Sequence, residues 1–133
     1  MSRMVQEAFE QPSLKEAVRE ALIGLARCNC TITYRDLAIL ANIPSPHSIN
    51  RLTRLLEELV QEDADAGRPL LASLVISRSR ERIPARGFFC LIHTLGLYDG
   101  PDEGPKAREY HQEEVEMAWA YWGDGPCEDC SCR

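Results

Sequence analysis

The stretch that decides the fold runs from Thr31 to Gly87: TITYRDLAILANIPSPHSINRLTRLLEELVQEDADAGRPLLASLVISRSRERIPARG. It opens on a short β-favouring segment, Thr31-Ile32-Thr33. Thr33 can cap a following helix, with Asp36 at the third position, where a carboxylate also suits the helix dipole. That helix turns Leu37, Ala38, Leu40 and Ala41 inward and stops near Asn42. Ile43-Pro44-Ser45-Pro46 forces a turn, because each proline biases the residue before it away from helix, and Pro46 suits the first turn of a new one. The next helix repeats Ile49, Leu52, Leu55, Leu56, Leu59 and Val60 at helical spacing. After the polar loop Gln61 to Pro69, the apolar run Leu70 to Ser77 reads as a buried strand. Arg78 to Arg86 reads as an arginine-rich loop, and Gly87-Phe88-Phe89 as the start of a returning strand. The stretch Cys90 to Leu97 is compatible with continuing that strand or starting a short helix.

Upstream, Ser13 and Glu16 form a capping box with Pro12 just outside it. Leu14, Ala17, Val18, Ala21, Leu22, Leu25 and Ala26 then define one buried helical face, and Asn29 is a left-handed stop. Downstream of a Gly- and Pro-containing linker, Pro105 opens a last helix carrying Ala107, Tyr110, Val115, Ala118, Trp119 and Trp122, closed by Gly123. Two helices joined by a tight turn, preceded by a helix and followed by two strands around a basic loop, give an α+β fold: a winged helix-turn-helix with an additional C-terminal amphipathic helix. The expected organisation is an N-terminal extension (1–12), a winged-helix domain (13–97), a linker (98–104), an acidic helix (105–123) and a flexible cysteine-containing tail (124–133).

Composition is that of a globular protein: 133 residues with 44% hydrophobic content are enough for one core. No apolar run approaches the roughly 20 residues that span a bilayer, which excludes a membrane role for a helix. The first residues lack an apolar signal core, so a cytoplasmic location is expected. Net charge is −6. Residues 47–97 hold seven arginines against six acids, whereas residues 98–133 hold three basic side chains against ten acidic ones. The excess negative charge therefore sits in the C-terminal segment, and the central region is free to meet an anion.

Three groups of residues bear on chemistry. His47, Asn50, Arg51 and Arg54 recur at spacings of three and four, sharing a helical stripe opposite the leucines. Asn and Arg suit bidentate hydrogen bonding to base edges, though the same stripe describes an ordinary solvated face. Arg78, Arg80, Arg82 and Arg86, against the single Glu81, make a loop suited to neutralising phosphates, or to keeping a hairpin edge soluble. Cys127, Cys130 and Cys132 lie within six residues and could face one zinc ion, with Cys28 and Cys30 as further donors; the bland alternative is a tail of oxidisable thiols. Cys90 with His93 reads as a buried pair before a nucleophile–base couple. His111 and Glu114 read as a solvated face before metal ligands. No phosphate-cradling glycine loop or hydrolase signature is present, so no enzyme activity is expected.

The run Thr31-Ile-Thr-Tyr-Arg-Asp-Leu-Ala38 resembles the opening of the DNA-binding half of the alkylguanine-DNA alkyltransferases and their non-catalytic alkyltransferase-like relatives. Thr33, Tyr34, Leu37 and Ala38 match that family's pattern, while Arg35 stands where glycine is usual. The family's reactive Pro-Cys-His-Arg is absent, with Leu70 and Leu71 where the thiol would be expected, so methyl transfer is not implied. The resemblance covers about a third of the chain and implies a winged-helix fold and a phosphate contact for Tyr34. The leading expectation is thus a non-enzymatic DNA-binding protein. The alternatives are a winged-helix protein-interaction module, or a thiol-metal or redox protein. Trp119, Tyr121 and Trp122 are expected to pack within the protein, in a homodimer or on a partner.

Overall fold

Side-chain hydrogen bonds at Ser13 and Thr33 set where the first two described helices start. The computed structural model describes residues 13–123. Helix α1 (Leu14–Arg27) begins where the Ser13 hydroxyl accepts the Glu16 N–H at 3.1 Å, and the chain leaves it through Asn29 in a left-handed conformation. Strand β1 (Ile32–Thr33) leads into α2 (Tyr34–Leu40), whose Thr33 cap accepts the Asp36 N–H at 3.1 Å. Asn42 takes a left-handed conformation (φ 58°) to end that helix. Helix α3 (Ser48–Ala66) begins later than the proline suggests. Ser45–Pro46 is a cis peptide, and His47, left-handed at φ 63°, is the N-cap, so Pro46 lies outside the helix.

The next segment departs from the expected wing. Leu71–Leu74 is a 3-10 turn, and only Val75–Ile76 (β2) is extended. β2 pairs in parallel with β1, Ile32 opposite Val75 and Thr33 opposite Ile76. A second 3-10 turn, Arg78–Arg80, leads to an isolated antiparallel bridge between Ser77 and Ile83. The expected returning strand at Gly87-Phe88-Phe89 is instead helix α4 (Arg86–Thr94), which absorbs most of the undecided stretch. Helix α5 (Pro105–Trp122) follows. Among the described residues the class is α+β, mostly helical with one small parallel sheet.

One core joins these elements. Val18 and Leu22 from α1, Leu37 from α2, Leu52 and Leu59 from α3, Leu71 and Leu74 from the turn, and Ile92 from α4 are fully covered. Each such side chain contributes about 1.5–3 kcal/mol relative to exposure. Helix α5 adds Ala107, Val115 and Ala118 to the same cluster. The Trp119 indole N–H donates to the Cys30 carbonyl at 3.2 Å, which ties α5 to the end of α1. No described helix is long and apolar enough to cross a membrane.

The buried 3-10 turn explains why a strand is unnecessary here. Its backbone groups must be satisfied away from water. The Leu70 N–H donates to Glu114 of α5 at 2.8 Å and the Leu71 N–H to Asp63 of α3 at 3.2 Å. His111 Nε2 donates to the Ser73 carbonyl at 2.7 Å, and the Ser73 hydroxyl to the Leu70 carbonyl at 2.7 Å. Side chains from two helices thus replace the neighbours that a sheet would supply.

Candidate functional site

On α3, Asn50, Arg51 and Arg54 are exposed on the face opposite Leu52, Leu56 and Leu59. His47 is exposed too, but it occupies the N-cap position, before the first turn, and its side chain makes no cap hydrogen bond. The first two turns of α3 therefore present an amide and two guanidinium groups to solvent, the arrangement the spacing predicts.

The arginine-rich loop divides into two kinds of residue. Arg80 is a structural clasp: its Nε donates to the Pro84 carbonyl at 3.0 Å, its other nitrogen reaches the Asp102 carbonyl, and its guanidinium lies 6.0 Å from the Phe89 ring centre. Arg86 stands 3.8 Å from the Asp102 carboxylate while remaining largely exposed. Arg78 and Arg82 are exposed, on a turn in which Glu81 and Arg82 are both left-handed (φ 60° and 66°). Glu81 is engaged by Arg108 of α5 at 3.1 Å.

Partnering separates the basic side chains further. Lys15 and Arg19 bind Glu62, Arg19 and Arg68 bind Asp63, Arg27 donates to the Trp122 carbonyl and Lys106 to the Asp99 carbonyl. Among the described residues, Arg35, Arg51, Arg54, Arg78 and Arg82 make no ion pair, side-chain hydrogen bond or ring contact. Two open clefts connect part of this set. One, of about 520 Å³, has Arg35 and Arg78 in its lining. The other, of about 560 Å³, runs from Arg35 past Ile39 and Asn42 to Ser48 and Ile49 at the start of α3. Arg35 and Ile39 line both clefts, and Arg35 is the charged residue common to them.

Tyr34 is half-buried and its hydroxyl accepts the Ala85 N–H at 2.9 Å, joining the start of α2 to the start of α4. Burial raises its phenol above the usual range, against the smaller opposing effects of the Ala85 bond and the Arg80 charge, so it stays neutral.

Other residues prove structural or differently placed. Cys90 and His93 are exposed on α4, not buried, because the segment is a helix with its apolar face on Phe88, Phe89 and Ile92. His93 faces Asp99 at 3.7 Å. His111 and Glu114 are buried, not solvated. Burial lowers the His111 imidazole and raises the Glu114 carboxyl, each partly offset by the hydrogen bonds they make to the turn. Their sequence signal was available: both fall on the same helical stripe as Ala107, Val115 and Ala118. No cluster of metal-binding side chains occurs among the described residues. The expected site at Cys127, Cys130 and Cys132 lies outside them, and Cys28 and Cys30 are disulfide-bonded.

The arrangement offers hydrogen-bond donors and positive charge to an external anion. No protein-family model, curated protein or solved structure matches the chain.

Proposed function

We propose that this chain is a non-enzymatic DNA-binding protein, a winged helix-turn-helix variant in which α3 enters the major groove and Arg78 and Arg82 contact phosphates. The observation that carries this reading is the division of the arginines. Among the described residues, the fold pairs or clasps the other basic side chains, yet leaves those of α2, α3 and the loop tip without a partner. Exposed guanidinium groups at helical spacing beside an asparagine suit base edges, and those on a tight loop suit the backbone.

Fluorescence anisotropy with a labelled duplex at several salt concentrations tests the reading. Four or five phosphate contacts give a log–log salt slope of about −4. Arg51→Ala or Asn50→Ala is expected to cost about 1–3 kcal/mol at a preferred site and little on random duplex. A wild-type protein that ignores duplex DNA at low salt refutes it.

A second reading, a protein-interaction module, draws on one feature. Ile39, Leu40 and Ile49 are 65%, 55% and 45% exposed around the turn between α2 and α3. Apolar side chains grouped at one corner suit a protein contact. Failure on DNA together with selective loss of a partner on Ile39→Ser would favour it.

A further inference from the structure

The cleft between the start of α2 and the segment after β2 has the make-up of a phosphate-ester site. Its walls come from two chain segments that the parallel β1–β2 pairing holds side by side. Arg35 contributes from one wall and Arg78 from the other. Thr33, Ser77 and Ser79 line the cleft as well, with the hydroxyls of Ser77 and Ser79 3.1 Å apart. Ile39 and Ile76 give it apolar surface, and Asp36 is the one carboxylate in its lining. Two guanidinium groups against one carboxylate leave a net positive charge, and neither arginine has a partner among the described residues.

The volume narrows the ligand. A cleft of about 520 Å³ is far larger than an inorganic phosphate and accepts a phosphate with its attached sugar. Ile39, 65% exposed in the same cleft, offers a surface for the apolar face of that sugar. Guanidinium groups bind phosphate oxygens through charge-assisted, often bidentate, hydrogen bonds, and hydroxyls take the remaining lone pairs.

We propose that this cleft holds one backbone phosphodiester of a bound nucleic acid, gripped from its two sides by Arg35 and Arg78. The assignment rests on the nucleic-acid reading above for the source of the ester, and it makes Arg35 a phosphate-binding residue. Arg78 then acts together with α2, not as the tip of a separate wing. Asp36 sets an upper limit on affinity by repelling the same anion.

The test uses the full chain and a fluorescein-labelled mixed-sequence 20-base-pair duplex, titrated by anisotropy between 50 and 200 mM salt. Arg35→Ala and Arg78→Ala are each expected to weaken binding roughly ten-fold without altering sequence preference. Because both arginines serve one phosphate, the double variant should lower the salt slope by about 0.9 and not by twice that. Asp36→Asn should strengthen binding. Unchanged thermal melting of the three arginine variants shows that the fold is intact, since both side chains are exposed.

Wild-type binding that survives in the double variant, with the phosphate-contact variant Arg82→Ala defective on the same duplex, overturns the cleft assignment and leaves the DNA reading standing. Absence of wild-type duplex binding overturns the DNA reading and the phosphodiester assignment with it. Titration with thymidine 5′-monophosphate distinguishes the source of the ester. Millimolar binding lost on Arg35→Ala, without any duplex binding, replaces the backbone assignment with a free-nucleotide site.

Discussion

Replacing Asp63 removes a buried carboxylate that holds three partners at once. It is 0% exposed and lies near the end of α3. One oxygen receives Arg19 and Arg68, both at 3.0 Å, and the other accepts the Leu71 N–H at 3.2 Å. Breaking a buried ion pair by deleting one partner costs about 3–5 kcal/mol. The low end applies here, because the Arg19 and Arg68 side chains keep 19% and 31% exposure and can turn to water. The Leu71 N–H has no such escape, and an unsatisfied buried donor costs about 1–3 kcal/mol. Asp63→Ala should therefore lose about 4 kcal/mol of a total that is about 5–15 kcal/mol for a domain of this kind. Asp63→Asn keeps an oxygen for Leu71 and should lose about half as much, through weaker bonds to the arginines. Urea titration followed by the fluorescence of Trp119 and Trp122 measures both. With a slope of about 1–3 kcal/mol per molar, the alanine variant shifts the midpoint by about 2 M. An alanine variant within about 1 kcal/mol of wild type would refute the reasoning, as would equal losses in the two variants.

Arg80→Ala is expected to cost about 1–2 kcal/mol of stability by freeing the Pro84 and Asp102 carbonyls, whereas Arg82→Ala should leave the urea midpoint unchanged; equal midpoints for the two variants would show that the loop has no clasp. The pH dependence of stability should carry two opposing signatures. His111 is held below its ordinary 6.5, so its stabilisation is complete above that value and is lost as pH falls through the lowered folded value. Glu114 is held above its ordinary 4.5, so its stabilisation is complete below that value and is lost as pH rises through the raised folded value. Urea midpoints from pH 4 to pH 8 should thus move in favour of Glu114→Gln on raising the pH and of His111→Gln on lowering it. Parallel profiles for the wild type and both variants would refute the assignment of these groups.

What was legible in the sequence is what neighbouring residues decide. Ser13, Asn29, Thr33 and Asn42 act on backbone groups within four positions, so the helix ends they set follow from local chemistry. The leucine stripe of α3 is equally local, and with it the outward placement of Asn50, Arg51 and Arg54. The segments Leu70–Ser77 and Gly87–Phe89 misled, and Cys90–Leu97 stayed undecided, because they are short apolar runs, for which periodicity cannot separate strand from helix. In the first, the decision rests with Asp63 and Glu114, distant along the chain. Arg78, Arg80 and Arg82 look alike in sequence. Only the arrival of the Asp102 carbonyl and the Phe89 ring makes Arg80 a clasp and leaves its neighbours unpartnered. The place of Arg35 in a cleft was not legible, because the cleft is formed with a segment that folds beside it from far downstream.

The cage around the 3-10 turn bears on how the chain reaches its fold during synthesis. A nascent chain that ends at Gly104 already contains α1 to α4, but the Leu70 N–H lacks Glu114, the Ser73 carbonyl lacks His111, and the core lacks Ala107, Val115 and Ala118. The Cys30 carbonyl must wait for a tryptophan 89 residues later. Productive folding therefore finishes only after α5 clears the ribosome exit. Until then the earlier helices lack the partners that close the turn and complete the core.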